Sequence, residues 1–135
     1  TESDLGPGGH SDADVLIHAL MDAMLGAAGL RDIGYYFPPE DDQYKGISSM
    51  LLLEKVNFLL KERGLQAYNI DIMVISETPK LKPHIDMMKA NLQSILEIPL
   101  DRISIKATTN EMLGAIGRRE GIAAQAVVSV YEGEI

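Results

Sequence analysis

From Ala13 to Leu30 every residue is apolar or glycine except Asp14, His18 and Asp22. A helix that is hydrophobic almost all round is a buried one, so this stretch belongs at the centre of whatever the chain folds into. Its three exceptions are spaced by four and align down one face, with His10 a further four residues toward the N-terminus. Acid and imidazole groups on a buried helix must meet polar partners, because unpaired burial is costly. Ser11 followed three residues later by Asp14 resembles a capping box, which predicts the helix from about Asp12 to near Gly29.

Residues 1–9 read as a glycine-rich loop, with no strand ahead of the helix. Arg31 to Pro39 carries aromatics and prolines and cannot be helical throughout. Glu40-Asp41-Asp42 and Lys45-Gly46 lengthen it into the kind of connection that is functional or mobile. A second helix is expected from Ser48 to Arg63, with Gly64 as its stop. A strand is expected over Tyr68–Ser76 and a helix from Pro83 to Leu96. Short strands should follow over Arg102–Ala107 and Ile122–Tyr131. This order predicts a single α+β domain over residues 1–135, its helices layered on one face of a small mixed β-sheet. Three strands are few for so much apolar helix, so further strands should come from an N-terminal segment or from neighbouring subunits.

A chain of 135 residues with 46% apolar and 24% charged content is an ordinary globular domain. It has no twenty-residue uncharged apolar run and no signal-peptide pattern, so no membrane partner is expected. With no cysteine there is no disulfide, thiolate nucleophile or cysteine-bound metal. That permits, without showing, a reducing interior such as cytoplasm or an organelle stroma. A net charge of -8 argues against nucleic acid as a partner, although an anionic small molecule can still be held by local cations, a metal or a helix N-terminus.

Several groups carry possible chemistry. His18 alone is more often a satisfied core histidine than a metal ligand, and Asp14 and Asp22 either fix its tautomer or pair with a lysine. His10 and Ser11, behind Gly8 and Gly9, form an anion site at the helix mouth unless Ser11 only caps its own helix. Lys106-Ala107-Thr108-Thr109-Asn110-Glu111 suits phosphate oxygens and a hard cation, or is simply a polar turn. Lys80, Lys82, Arg118 and Arg119 are the cations for phosphate, or solvated surface charge. The common nucleotide-loop, serine-hydrolase and H-E-x-x-H motifs are all absent.

Six pieces occur in order: H-S-D-A-D-V-L-I-H-A-L at 10–20, D-A-x-L-G-A-A at 22–28, D-I-G-x-x-F-P at 32–38, P-K-L-x-P-H at 79–84, K-A-T-T-N-E at 106–111 and G-R-R-E-G-I-A at 117–123. Together they resemble the 2-C-methyl-D-erythritol 2,4-cyclodiphosphate synthase family of non-mevalonate isoprenoid biosynthesis. The resemblance implies a homotrimer with active sites at subunit interfaces, zinc plus magnesium or manganese, and a cytidine diphosphate-linked substrate. The implied reaction cyclises 4-diphosphocytidyl-2-C-methyl-D-erythritol 2-phosphate and releases CMP. The alternative is a non-catalytic trimeric scaffold or binding variant without a complete zinc site.

By that resemblance His18 is a zinc ligand and Glu111 ligates the second divalent cation. His10 and Thr109 stabilise charge during transfer, while Ser11, Thr108 and Asn110 lie with them among the phosphate contacts. Asp32, Ile33 and Gly34 hold the methylerythritol hydroxyls, and Phe37, Pro38, Pro39, Glu40 and Asp41 form a flexible lid, Pro39 standing where an acid is common. Ser76, Glu77, Thr78, Pro79, Lys80, Leu81 and Lys82 match the cytosine pocket. Arg118 faces the trimer's central cavity beside Ala115, where an aromatic is frequent in the family. Members of the family also begin with a strand carrying D-x-H, the other two zinc ligands. Thr1 begins after that point, so the sequence is expected to be N-terminally incomplete.

Overall fold

The computed structural model describes residues 7–44, 46–75, 82–108 and 123–133; of residues 7–12 the backbone alone is described. Helix α1, Pro7–Ala27, starts about five residues before the expected point. Proline suits a first helical turn, where its fixed φ is pre-organised and its missing N–H is not needed. His10 and Ser11 therefore lie within the first turns of α1, and Ser11 is not its N-cap. The helix closes in a Schellman motif: Gly29 adopts φ 72°, and the Leu30 N–H donates to the Leu25 carbonyl at 2.8 Å.

A one-turn helix α2, Ile33–Tyr36, is capped by Asp32, whose Oδ1 accepts the Tyr35 N–H at 3.0 Å. Helix α3, Ser49–Glu62, is capped by Ser48 through the Leu51 N–H. The expected ends of this helix, Ser48 and Arg63, are its caps. Strand β1 runs Leu65–Ile75, beginning earlier than Tyr68 because Leu65 to Ala67 continue the pairing with the last strand. A 3-10 turn at Lys82–His84 takes in Pro83 and leads into helix α4, Ile85–Leu96. A 3-10 turn at Leu100–Arg102 and strands β2, Ile103–Thr108, and β3, Ala123–Glu132, complete the described elements.

The sheet has the order β2-β1-β3, with β1 parallel to β2 and antiparallel to β3. Alternation along the strands turns Ile70, Ile72 and Val74 of β1 and Ile103 and Ile105 of β2 inward. Ala124, Ala126, Val128 and Val130 of β3 pack on the same side. These residues meet Leu16, Leu20 and Met24 of α1, Leu53 and Leu60 of α3, and Met88 and Leu92 of α4 in one core. The α+β class, the mixed sheet and the helices on one face agree with the sequence reading. The opposite face has no described element over it, and Val127 there is 71% exposed. Ile75, Thr108 and Ala123 stand in register at one end of the sheet. The chain thus leaves both β1 and β2 at that end, toward the stretches expected to read cytosine and hold phosphate.

Candidate active site

Leu16, Ile17, Leu20, Met21, Met24 and Leu25 of α1 are swallowed by the core, but its polar stripe is not. Asp14 is half-buried, and His18 and Asp22 are exposed. His18 is therefore not a core histidine. Its Nδ1 lies 2.8 Å from the Asp14 carbonyl oxygen, which can only accept, so Nδ1 carries a hydrogen, and in the neutral ring the lone pair is then on Nε2. A backbone carbonyl thus fixes the tautomer, and neither neighbouring carboxylate does. The Asp14 carboxylate instead accepts from Ser49 Oγ at 2.8 Å, and Asp22 Oδ1 accepts the Ile33 N–H at 3.2 Å.

Asp14 and His18 form one wall of a cavity of about 550 Å³. Ile33, Gly34, Phe37 and Pro39 supply another wall, and Tyr44, Gly46, Ile47, Ser48, Ser49 and Leu52 the rest. Phe37 and Tyr44 meet edge to face, with ring centroids 5.2 Å apart. The cavity is therefore apolar on its lid side and polar where α1 meets the start of α3. Four expected substrate contacts, Ile33, Gly34, Phe37 and Pro39, come together with His18. Asp32, Pro38, Glu40 and Asp41 lie on the same connection without lining the cavity. Asp32 is occupied as a cap, and Asp41 Oδ1 accepts the Gln43 N–H within a turn. Tyr44, Gly46, Ile47, Ser48, Ser49 and Leu52 line the cavity without being among the expected site residues; the capping serine ahead of an apolar run is the available signal for the two serines.

Lys82 is exposed in its 3-10 turn, and Thr108 ends β2 exposed opposite Ile75. Lys106, expected near phosphate, places Nζ 2.9 Å from Asp71 Oδ1 on the neighbouring strand. Ser76 to Leu81, Thr109, Asn110, Glu111, Ala115 and Arg118 lie outside the described residues, as do the side chains of His10 and Ser11. Among the described residues no three His, Cys, Asp or Glu groups converge as a metal cluster. His18 nonetheless fits a zinc site as one ligand: its Nε2 is open and its Nδ1–H is held by a carbonyl, the usual arrangement behind a metal-bound imidazole. Among the described residues no helix is long and apolar enough to cross a membrane.

The model of the YgbB family matches residues 1–131. A 2-C-methyl-D-erythritol 2,4-cyclodiphosphate synthase from Nostoc punctiforme is 58% identical over 125 residues, covering 93% of this chain and 78% of that protein. Among solved structures, the bifunctional IspDF from Campylobacter jejuni matches with a TM-score of 0.81 at 45% identity, over 86% of this chain and 31% of that longer one. A 2C-methyl-D-erythritol-2,4-cyclodiphosphate synthase in its CDP-bound form matches with a TM-score of 0.77 at 34% identity, over 85% of this chain and 74% of the other. The family model spans nearly all of the sequence and the identities extend across the same fold, so the chain belongs to the YgbB family, that of the 2-C-methyl-D-erythritol 2,4-cyclodiphosphate synthases its motifs resemble.

Proposed function

We propose that this chain converts 4-diphosphocytidyl-2-C-methyl-D-erythritol 2-phosphate to 2-C-methyl-D-erythritol 2,4-cyclodiphosphate and CMP. The observation that carries the reading is His18, tautomer-locked with Nε2 open, in the wall of a cavity that also takes in Ile33, Gly34, Phe37 and Pro39. A relative of that name at 58% identity supports the substrate and the reaction. A relative of that name in its CDP-bound form supports a cytidine nucleotide as the recognised group.

In this reaction an oxygen of the 2-phosphate attacks the β-phosphorus of the diphosphate. The bond from that phosphorus to the oxygen bridging to the α-phosphate breaks, and CMP leaves with the bridging oxygen. Little covalent help is needed from the protein; two anionic groups must be brought together and the charge of transfer stabilised. His18 would hold zinc, and Glu111 magnesium or manganese; when bound, these ions supply positive charge against the phosphates' repulsion. The segment from Ile33 to Pro39 encloses the methylerythritol part and excludes water. His10 and Thr109 donate hydrogen bonds to the phosphates, with Ser11 and Thr108 beside them. The stretch from Ser76 to Lys82 reads cytosine.

A homotrimer with sites at the subunit interfaces completes the proposal. Its support is the sheet face that no described element covers, because an apolar residue such as Val127 at 71% exposure is suited to burial against further copies. The test is to incubate the full chain with the substrate, zinc and magnesium and follow phosphorus NMR. Stoichiometric CMP and a cyclic diphosphate are expected. Release of inorganic phosphate would indicate a phosphohydrolase, and no turnover would sink the enzyme reading.

A further inference from the structure

Asp14 and Asp22 stand four residues to either side of His18 on one face of α1, and each is committed to a different end of one segment. Asp22 Oδ1 takes the N–H of Ile33, where that segment begins. Asp14 Oδ1 takes the hydroxyl of Ser49, where it ends at the start of α3. Between the two bonds run the residues that supply most of the cavity wall, including Gly34, Phe37, Pro39 and Tyr44.

Apart from the single turn of α2, the described residues between Ile33 and Ser49 form no helix or strand. Its own backbone bonds are local, such as the Asp41 N–H to the Pro38 carbonyl and the Tyr44 N–H to the Asp41 carbonyl, both at 3.0 Å. Local turns set the shape of a loop but not its distance from a helix. That distance rests on the apolar contacts of Ile33, Tyr36, Phe37 and Ile47 with the core, and on the two carboxylate tethers. Apolar contacts are non-directional. The hydrogen bonds to Ile33 and Ser49 set the register along α1, and His18 sits midway between them.

We infer that Asp14 and Asp22 are positioning residues, which fasten the two ends of the cavity wall across His18 by accepting the hydrogen bonds of Ser49 and Ile33. Their effect on turnover rests on the proposed function; their effect on the wall does not.

The test uses the metal-free full chain and amide hydrogen exchange read by mass spectrometry. Asp22→Ala and Ser49→Ala each remove one tether, and exchange across residues 33–48 should rise by about tenfold or more while α4 and the sheet stay at wild-type rates. Asp22→Asn keeps an acceptor oxygen and Ser49→Thr keeps a hydroxyl, so both should restore the protection. Wild-type exchange in Asp22→Ala and Ser49→Ala would overturn the inference, as would Asp22→Asn exchanging as fast as Asp22→Ala. In the zinc- and magnesium-loaded enzyme the alanine variants should raise KM by roughly tenfold while kcat changes much less, since the bonds lost position the wall. A fall in kcat at unchanged KM would overturn the positioning role. A wild-type chain that releases no CMP would defeat the proposed function alone, because the exchange measurement still decides the tethers.

Discussion

The ring of His18 donates its Nδ1–H to the carbonyl oxygen of Asp14, one turn earlier on the same helix, across 2.8 Å. Its orientation is thus fixed within α1 itself, and the free nitrogen is left for the cavity. His18→Ala is expected to abolish stoichiometric zinc and turnover while leaving the fold intact. The side chain is exposed, so the stability cost should stay within about 0.5 kcal/mol. Metal analysis together with a thermal melt checks both halves, and wild-type zinc occupancy would refute the ligand assignment.

The charge that develops during phosphoryl transfer needs donors placed before the reaction. If Thr109 is one of them, Thr109→Val should lower kcat on the order of 100-fold with a much smaller change in KM. Steady-state kinetics of CMP release reads this directly. A variant with wild-type kcat would remove Thr109 from the mechanism.

Leu20 is fully buried on the face of α1 that enters the core. Leu20→Ala leaves a cavity that neighbouring side chains fill only in part, and should cost about 3 kcal/mol. A lower urea midpoint at unchanged m-value is the expected signature.

Glu97 ends α4 in the left-handed conformation, at φ 57° and ψ 45°. Glu97→Gly relieves a conformational cost of about 1 kcal/mol. It also removes an ion pair with Lys61 at 2.8 Å, a contact that is exposed and weakened by solvent screening. The first effect should win, seen as a small rise in Tm.

The hydrogen bond from Lys61, and then its charge, holds the Glu97 carboxyl below its ordinary range. A value lowered in the folded state stabilises above the unfolded-state pKa, and that contribution is lost as pH falls through the folded one. Lys61→Ala should therefore differ from wild type at neutral pH and converge with it in acid. Urea midpoints at the two pH values would show the convergence.

Much of the fold could be read from short stretches. The apolar run of α1, the Ser48 cap, the glycine stop at Gly64 and the alternation in β2 are local signals that place their elements, although α1 begins at Pro7, about five residues before the Ser11–Asp14 pattern suggests. A further error falls where a distant partner decides. Leu65 to Ala67 are strand because β3 pairs with them, and nothing in those three residues announces it. For the candidate site, the motifs named His18, Ile33, Gly34, Phe37 and Pro39, which line one cavity, whereas Ser48 and Ser49 showed only as the start of a helix and the bond from Ser49 to Asp14 could not be read from it.

The sequence by itself determined that an apolar helix with a stripe of Asp14, His18 and Asp22 would be central, because side-chain period and hydrophobicity act over a few residues. Only the tertiary structure decided that Asp14 and His18 of this stripe line a cavity outside the core, and that its two acids hold Ser49 and Ile33. Those contacts join residues 35 and 11 positions apart. A hydrogen bond across such a separation exists only after packing has brought its two groups within reach.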